Sequence, residues 1–187
     1  VGTCYLPIYS SDKAKEIFRF WLFDSAWQDK TDGQTYSYVK PEAVEWFKSL
    51  SNEAKQTKTS VPGLLFIHIP LPEQENLLEE CPPHVGGVLD HHPYSKTKEE
   101  KYYRLNPTLA VGDLGEFPCM LDKNTGLFDA VKEDGTIKAI VAGHDHTNCF
   151  DGTWNGIRMI QTACASLRCY GVKNRGVRIF ELDEDNP

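Results

Sequence analysis

The feature that most constrains the fold is an apolar run at residues 140–142 that ends at Gly143 and is followed at once by an H-D-H triplet at 144–146. Such a run is typical of a buried strand. Open α/β sheets carry their sites just beyond the carboxyl ends of strands, where side chains are held in place. Two histidines one residue apart can face neighbouring points there, and histidine is the commonest metal ligand. The triplet is therefore either a polar turn or part of a metal site.

A third histidine ends another apolar run. Residues 63–67 (GLLFI) lead into His68, and Pro70 and Pro72 end the strand directly afterwards. One interpretation is a core histidine whose ring bonds a backbone carbonyl. The other is a further metal ligand, because His68 occupies the same place relative to its strand as the H-D-H triplet does.

The order of the expected elements predicts the fold class. Strands are expected at 3–9, 16–24, 63–67, about 138–142, 156–163 and 177–183, and helices from Pro41 and over 127–134. The order β-β-α-β-α-β-β-β indicates a mixed α/β domain, layered in the α+β manner, over residues 1–187. Residues 73–112 are expected to form a loop-rich excursion in which His91 and His92 are exposed.

Charge and composition exclude some functions. The formal net charge is −7, which argues against a nucleic-acid surface, and no apolar run is long enough to span a bilayer. The cysteines contain no C-x-x-C pair and could be disulfides or free thiols, so the compartment stays open. They are Cys4, Cys81, Cys119, Cys149, Cys164 and Cys169.

Six short pieces carry a resemblance to a known family. They are WLFDS at 21–25, VEWF at 44–47, FIHIPLPE at 66–73, NTGLF at 124–128, AGHDHTN at 142–148 and RGVRIFEL at 175–182. With them the chain resembles the C-terminal half of the calcineurin-like metallophosphoesterases, in their purple-acid-phosphatase-related branch. The resemblance implies that the chain forms part of a four-layer α/β/β/α sandwich.

The resemblance also implies a site with two metal ions, divalent or trivalent, drawn from Fe, Mn, Zn and Mg. In it His68 and His144 resemble two ligands of one ion, and His146 resembles a ligand of the other. Asp145 and Asn148 match neighbours that support the ligands. The implied reaction is phosphomonoester hydrolysis by a metal-activated water, on a phosphorylated small molecule or a phosphoprotein.

The family's other motifs, D-x-H, G-D-x-x and G-N-H-D/E, have no counterpart in these residues. They supply the bridging aspartate, an asparagine ligand and the histidine that stabilises the leaving group, so no catalytic residue is predicted here. The chain begins at Val1 and is expected to be a piece of a longer protein, inactive by itself.

Two alternatives stay open. One is a non-catalytic truncated chain or pseudoenzyme that keeps the fold for binding. The other is a small zinc module in which Cys149 joins His68, His144 and His146 as a closed four-ligand site. Cys149 stands where the resembling proteins usually carry an aspartate.

Overall fold

The structure is a computed structural model that describes residues 2–25, 38–89, 100–121, 123–173 and 175–187. Within these ranges the helices are α1 (Pro41–Thr57) and α2 (Leu127–Asp134), with short 3-10 helices at Pro72–Leu77 and Pro83–Val85. The strands are β1 (Cys4–Tyr9), β2 (Glu16–Leu22), β3 (Gly63–Phe66), β4 (Leu78–Cys81), β5 (Val88–Leu89), β6 (Tyr102–Leu105), β7 (Ala110–Asp113), β8 (Ile137–Ala142), β9 (Cys149–Trp154) and β10 (Ile157–Gln161).

Seven strands form one mixed sheet in the order β1-β2-β3-β8-β10-β9-β7. The central pairs β2–β3, β3–β8 and β8–β10 are parallel, whereas the outer pairs β1–β2, β10–β9 and β9–β7 are antiparallel. The apolar strands β3 and β8 therefore lie side by side in the middle of the sheet, as buried parallel strands do. Their carboxyl ends meet at the same edge.

Both helices pack on one face of this sheet. The helix and strand side chains buried there include Val44, Phe47, Phe128, Val131, Leu65 and Ile140. A smaller apolar cluster contains Phe18, Leu64, Ala139, Val141 and Ile160, with Phe180 packed against it. Neighbouring residues of β3 and β8 alternate between the two clusters because successive side chains of a strand point to opposite faces. Each large apolar side chain that is fully buried in these clusters stabilises the fold by about 1.5–3 kcal/mol.

The helix termini follow their sequence signals. Pro41 opens α1 with Glu42 in its first turn, where a fixed φ and a negative charge are both favourable. Gly126 and Gly135 flank α2 with φ values of +82° and +76°, a left-handed conformation that glycine adopts without a Cβ penalty. No helix of the described residues combines the length and apolarity needed to cross a bilayer.

The region 73–112 is more regular than the sequence predicts. Its described part contains two short 3-10 helices, a three-stranded sheet in the order β4-β6-β5, and β7 at the edge of the large sheet. These strands are two to four residues long, too short to show a clear alternation of apolar and polar side chains. The adjacent His91 and His92 lie outside the described residues.

The predicted closing strand at 177–183 is wrong. Among the described residues this segment belongs to neither sheet, and Val177 and Ile179 are 78% and 79% exposed. An alternating pattern makes a strand only where a neighbouring backbone pairs with it. The predicted α/β class is confirmed, since a mixed sheet carries a helical layer. The other two layers of the implied four-layer sandwich stay a prediction.

Candidate metal centre

The parallel pairing of β3 and β8 continues beyond both strands and fixes the ends that carry the histidines. Leu65 lies opposite Ile140 in the register. Beyond the strands, the Ile67 N–H donates to the Val141 carbonyl at 3.0 Å, and the Gly143 N–H donates to the His68 carbonyl at 3.1 Å. The residues that follow β3 and β8 are therefore held side by side.

This pairing brings two imidazoles together. Nδ1 of His144 lies 3.2 Å from Nε2 of His68, and the rings meet edge to face with centroids 5.0 Å apart. Ligands bound to one ion at about 2.0–2.1 Å each would have nitrogens about 2.9–3.4 Å apart at octahedral or tetrahedral angles. The observed spacing fits a shared ion, and it also fits a hydrogen bond between the rings. A core histidine satisfied by a carbonyl is the wrong interpretation, because His68 is exposed.

Both histidines are held by backbone constraints. The buried hydroxyl of Ser25 accepts hydrogen bonds from the N–H groups of His68 and Ile69, each at 2.9 Å. His144 has a φ of +72°, in the left-handed region that non-glycine residues rarely adopt. Strained conformations of this kind occur at ligand sites where the surrounding structure enforces them.

Burial lowers the pKa of His144, and nearby positive charge on His68 and His146 lowers it further, while Glu116 acts in the opposite direction. The lowered pKa favours the neutral form of the His144 ring. A neutral imidazole is the form that ligates a metal. The electrostatics of the site thus favour ligand chemistry over a buried imidazolium.

Asn148 and Asp145 hold the turn in place from within. Both are buried, and Oδ1 of Asn148 accepts the N–H groups of Gly115 and Glu116 at 2.9 and 3.1 Å. Oδ2 of Asp145 accepts from the Asn148 amide at 3.1 Å, and its Oδ1 accepts the Cys119 N–H at 3.0 Å. Burial raises the pKa of Asp145 to about 7, although these two hydrogen bonds lower it. The hydrogen bonds of these two side chains join the turn to the segment 115–119.

Glu116 binds the backbone of the same turn through its carboxylate. The sequence did not indicate this residue as part of the site. Its Oε1 accepts the backbone N–H groups of His146 and Thr147 at 2.6 and 2.9 Å, and Oε2 accepts the hydroxyl of Tyr170 at 2.8 Å. Burial works to raise the pKa of Glu116, but the bonds from Thr147, Tyr170 and His146 outweigh it and the pKa is lowered. Burial and the bond to Glu116 raise the pKa of Tyr170.

A buried amide pair ties the turn to the 3-10 helix at Pro72–Leu77. The Gln74 amide donates to Oε1 of Gln161 at 3.0 Å, and the Gln161 amide donates to the carbonyl of Gly143. Gln74 and Gln161 are almost fully buried. The polar groups of the turn are therefore connected to the region 73–112 through the core.

His146 lies in different surroundings from the other two histidines. Its ring rests on that of Tyr170 with centroids 4.3 Å apart, and its Nδ1 is buried without a hydrogen-bond partner among the described residues. One ligand atom each of His146, Cys164 and Cys169 lie within 4.8 Å of one another. The pKa of the Cys169 thiol is lowered, mainly by its hydrogen bond with Cys164 and further by those with Arg175 and Ser166.

Two clefts lie beside these groups. One, of about 360 Å³, is lined by His68, Thr162 and Arg178, and the other, of about 560 Å³, is lined by His146, Cys164 and Arg175. The clefts share Ala163 and Gly176 as lining residues. His68 and His146 therefore line two neighbouring clefts.

The cysteines of the site differ from the sequence-based alternative. Cys149 begins β9 with its sulfur near Arg178, and in the described part of the chain it forms no cluster with the three histidines. Cys164 and Cys169 were not predicted as ligands because they do not form a C-x-x-C pair, although the longer C-x-x-x-x-C spacing also occurs among zinc ligands. Their position just after β10 was the available signal. The roles of His68, His144 and His146 as metal ligands remain a prediction.

Taken together, the mixed sheet and the imidazole pair at its central strand ends define an α/β protein with a candidate metal centre. Three curated plant proteins are similar to the chain over most of its length. Probable inactive purple acid phosphatase 14 of Arabidopsis thaliana is 28% identical over 179 residues, which cover 89% of this chain and 38% of that protein.

Two further relatives from Arabidopsis thaliana carry similar names. Probable inactive purple acid phosphatase 28 is 24% identical over 170 residues, which cover 88% of this chain and 36% of that protein. Probable inactive purple acid phosphatase 29 is 23% identical over 180 residues, which cover 90% of this chain and 39% of that protein. No model of a known protein family matches the chain. The resemblance to purple-acid-phosphatase-like proteins is confirmed, and the chain spans less than two fifths of the length of these relatives.

Proposed function

We propose that this chain contributes histidine ligands to a metal-dependent phosphoesterase that hydrolyses phosphomonoesters at a centre of two metal ions. The observation that carries the proposal is the 3.2 Å spacing between Nε2 of His68 and Nδ1 of His144. Two imidazoles from distant parts of the chain meet at a spacing that suits one ion. The purple acid phosphatase names of the relatives support the reaction class.

The residues of this chain would act as holders of the ions. His68 and His144 would bind one ion, and His146 would bind the second. Both ions are drawn from Fe, Mn, Zn and Mg, and the softness of the ligands favours one metal over another. When bound, such ions activate a water and stabilise charge on the transferring phosphoryl group. Glu116 and Asn148 keep the turn that carries His144 and His146 in one conformation. The bridging carboxylate is proposed to come from polypeptide outside these 187 residues.

A phosphatase assay tests the proposal. A longer polypeptide that contains this chain together with the D-x-H and G-N-H-D/E motifs should hydrolyse p-nitrophenyl phosphate when metal is supplied. Changing His68, His144 and His146 together to alanine should remove nearly all of that activity. The 187-residue chain alone should be no faster than its own triple-alanine variant.

Two outcomes would contradict the proposal. One is metal-dependent turnover by the longer polypeptide that survives the triple change. The other is the absence of turnover by the longer polypeptide with both metals bound. A phosphorylated small molecule and a phosphopeptide, assayed side by side, would then separate the two proposed substrate classes in an active protein.

A specific observation favours a second candidate, a non-catalytic metal-binding protein. Among the described residues no carboxylate joins the His68–His144 pair in a cluster of three ligands. The names of the relatives also describe those proteins as inactive. Stoichiometric metal binding by a longer polypeptide that shows no turnover would support this candidate.

A further inference from the structure

The cluster of His146, Cys164 and Cys169 has a chemistry that the imidazole pair lacks. Its ligand atoms lie within 4.8 Å of one another, and both thiols are half-buried and belong to free cysteines. Sγ of Cys164 lies 3.2 Å from Sγ of Cys169. Two sulfurs bound to one tetrahedral zinc ion at about 2.3 Å stand roughly 3.7 Å apart, so a small side-chain adjustment suffices.

We propose that Cys164 and Cys169 join His146 as ligands of a thiophilic divalent ion, Zn²⁺ in the first instance. The inference rests on the proposed function for placing a second ion at His146, and it names the kind of ion that this position takes. Three protein ligands leave the fourth tetrahedral position open, which is the pattern of a reactive zinc site and not of a closed structural one.

His146 supplies an independent argument for a ligand at this place. Its Nδ1 is buried and has no hydrogen-bond partner in the described part of the chain. A buried polar atom without a partner costs about 1–3 kcal/mol. An ion bound at this nitrogen would satisfy it, whereas the ring's contact with Tyr170 leaves the nitrogen without a hydrogen bond in the described part of the chain.

Charge supplies the next argument. Three neutral imidazoles leave the charge of two divalent ions uncompensated, and burying uncompensated charge is costly. Two thiolates next to His146 would neutralise one divalent ion, with one proton released from each thiol on binding. Sulfur ligands favour zinc over magnesium and manganese, which prefer oxygen.

The surroundings of the thiols already accommodate a cation. Nη1 of Arg175 lies 3.3 Å from Sγ of Cys164 and 3.5 Å from Sγ of Cys169, and Nη2 donates to the Cys169 carbonyl at 2.9 Å. The cleft of about 560 Å³ that contains His146, Cys164 and Arg175 gives an ion a route from solvent. The guanidinium would have to move away from the sulfurs as the ion binds.

Cobalt substitution tests the proposal in the 187-residue chain, kept reduced with a phosphine. Addition of Co²⁺ should produce thiolate-to-cobalt charge-transfer absorption in the near ultraviolet. Cys164→Ser and Cys169→Ser should each remove much of this absorption, and the double variant should remove all of it. Cys149→Ser is the matched control, since it changes another half-buried thiol and should leave the absorption unchanged.

A second measurement uses zinc and thiol alkylation. Zn²⁺ should slow alkylation of Cys164 and Cys169 at least tenfold and leave Cys149 unprotected, and His146→Ala should weaken this protection. The His68→Ala, His144→Ala double variant should retain both the cobalt absorption and the protection. That result separates the thiol site from the imidazole pair and from any phosphatase activity.

Three results would overturn the inference. The first is cobalt absorption that persists in the Cys164→Ser, Cys169→Ser variant while circular dichroism shows an intact fold. The second is an absence of thiolate absorption in the unchanged chain, including the case in which Co²⁺ binds only through His68 and His144. The third is a Cys164–Cys169 disulfide that survives the reductant and blocks alkylation with or without zinc.

Discussion

His68 and His144 are 76 positions apart in the chain, and their ring nitrogens Nε2 and Nδ1 lie 3.2 Å apart. The two rings are nearly perpendicular. The parallel register of β3 and β8 sets this relationship, because it places the residues after both strands at one edge of the sheet. The pair is therefore a property of the tertiary fold.

The first prediction concerns metal affinity at this pair. His68→Ala and His144→Ala should each weaken the binding of Zn²⁺ at the imidazole pair at least tenfold, because each removes one of the two ligands of that ion. A tenfold loss of affinity is about 1.4 kcal/mol of binding free energy. The double variant should lose little more zinc affinity than either single variant, since the one imidazole that remains in a single variant already binds zinc poorly. Isothermal titration of the 187-residue chain measures this. His146→Ala is the control and should leave this position unaffected; equal loss in all three variants would contradict separate positions.

The second prediction concerns the backbone of His144. Its φ of +72° should make His144→Gly more stable than His144→Ala by about 1 kcal/mol, because alanine carries a Cβ penalty in the left-handed region. Urea unfolding of the two variants gives the difference. Lys138, an exposed residue of β8, is the matched control site. There Lys138→Gly should be less stable than Lys138→Ala, because glycine weakens a strand. The same order at both sites would mean that no strain is stored at His144.

The third prediction concerns pH and Glu116. Its pKa is lowered in the folded chain from the ordinary 4.5, so its stabilisation is present above that value and is lost as pH falls through the lower folded pKa. Glu116→Gln should cost about 0.5–1 kcal/mol at pH 7, after allowance for solvent screening, and progressively less towards pH 3. Urea unfolding across this range measures the change. Glu53→Gln, at an exposed site on α1, is the matched control for the loss of one surface carboxylate. A cost at Glu116 that does not change with pH would contradict a stabilising role for its charge.

The fourth prediction concerns Asn148. Asn148→Ala leaves the N–H groups of Gly115 and Glu116 without their acceptor and should cost about 1–3 kcal/mol in the free energy of unfolding. Asn148→Asp keeps the acceptor but loses the donor to Asp145, whose pKa is about 7, so its cost should grow as the pH rises above 7 and two carboxylates come to lie together. Thermal unfolding compares them. Asn76→Ala, at an exposed asparagine, should cost far less; similar costs at both sites would show that Asn148 does not hold the turn.

The parts of the fold that could be predicted are those with a strong local pattern. The apolar run of β8, the amphipathic helix α1 and the glycine stop of α2 are each visible in one stretch of sequence. β9 was missed, although Asn155-Gly156 is a hairpin signal and both residues have positive φ. Its own sequence, CFDGTW, interrupts the apolar alternation with Asp151 and Gly152.

The candidate site was predictable only in part. Placement after two buried strands pointed to His68 and His144, and the family resemblance named them as partners. Nothing local connects Glu116 to the backbone of His146, because that contact depends on how the segment after β7 lies against the turn. The same holds for Cys164 and Cys169, whose proximity to His146 depends on the path of the chain after β10.

The parallel pairing of β3 with β8 also has a consequence for the order of folding. The hairpins β1–β2 and β9–β10 close short loops and can form early, whereas Leu65 meets Ile140 only after a long loop closes, which is slow. We therefore expect the imidazole pair to assemble late, so that a metal ion binds the finished sheet instead of guiding its formation. Zn²⁺ should leave the refolding rate unchanged and slow unfolding, which stopped-flow measurements with and without the ion would resolve.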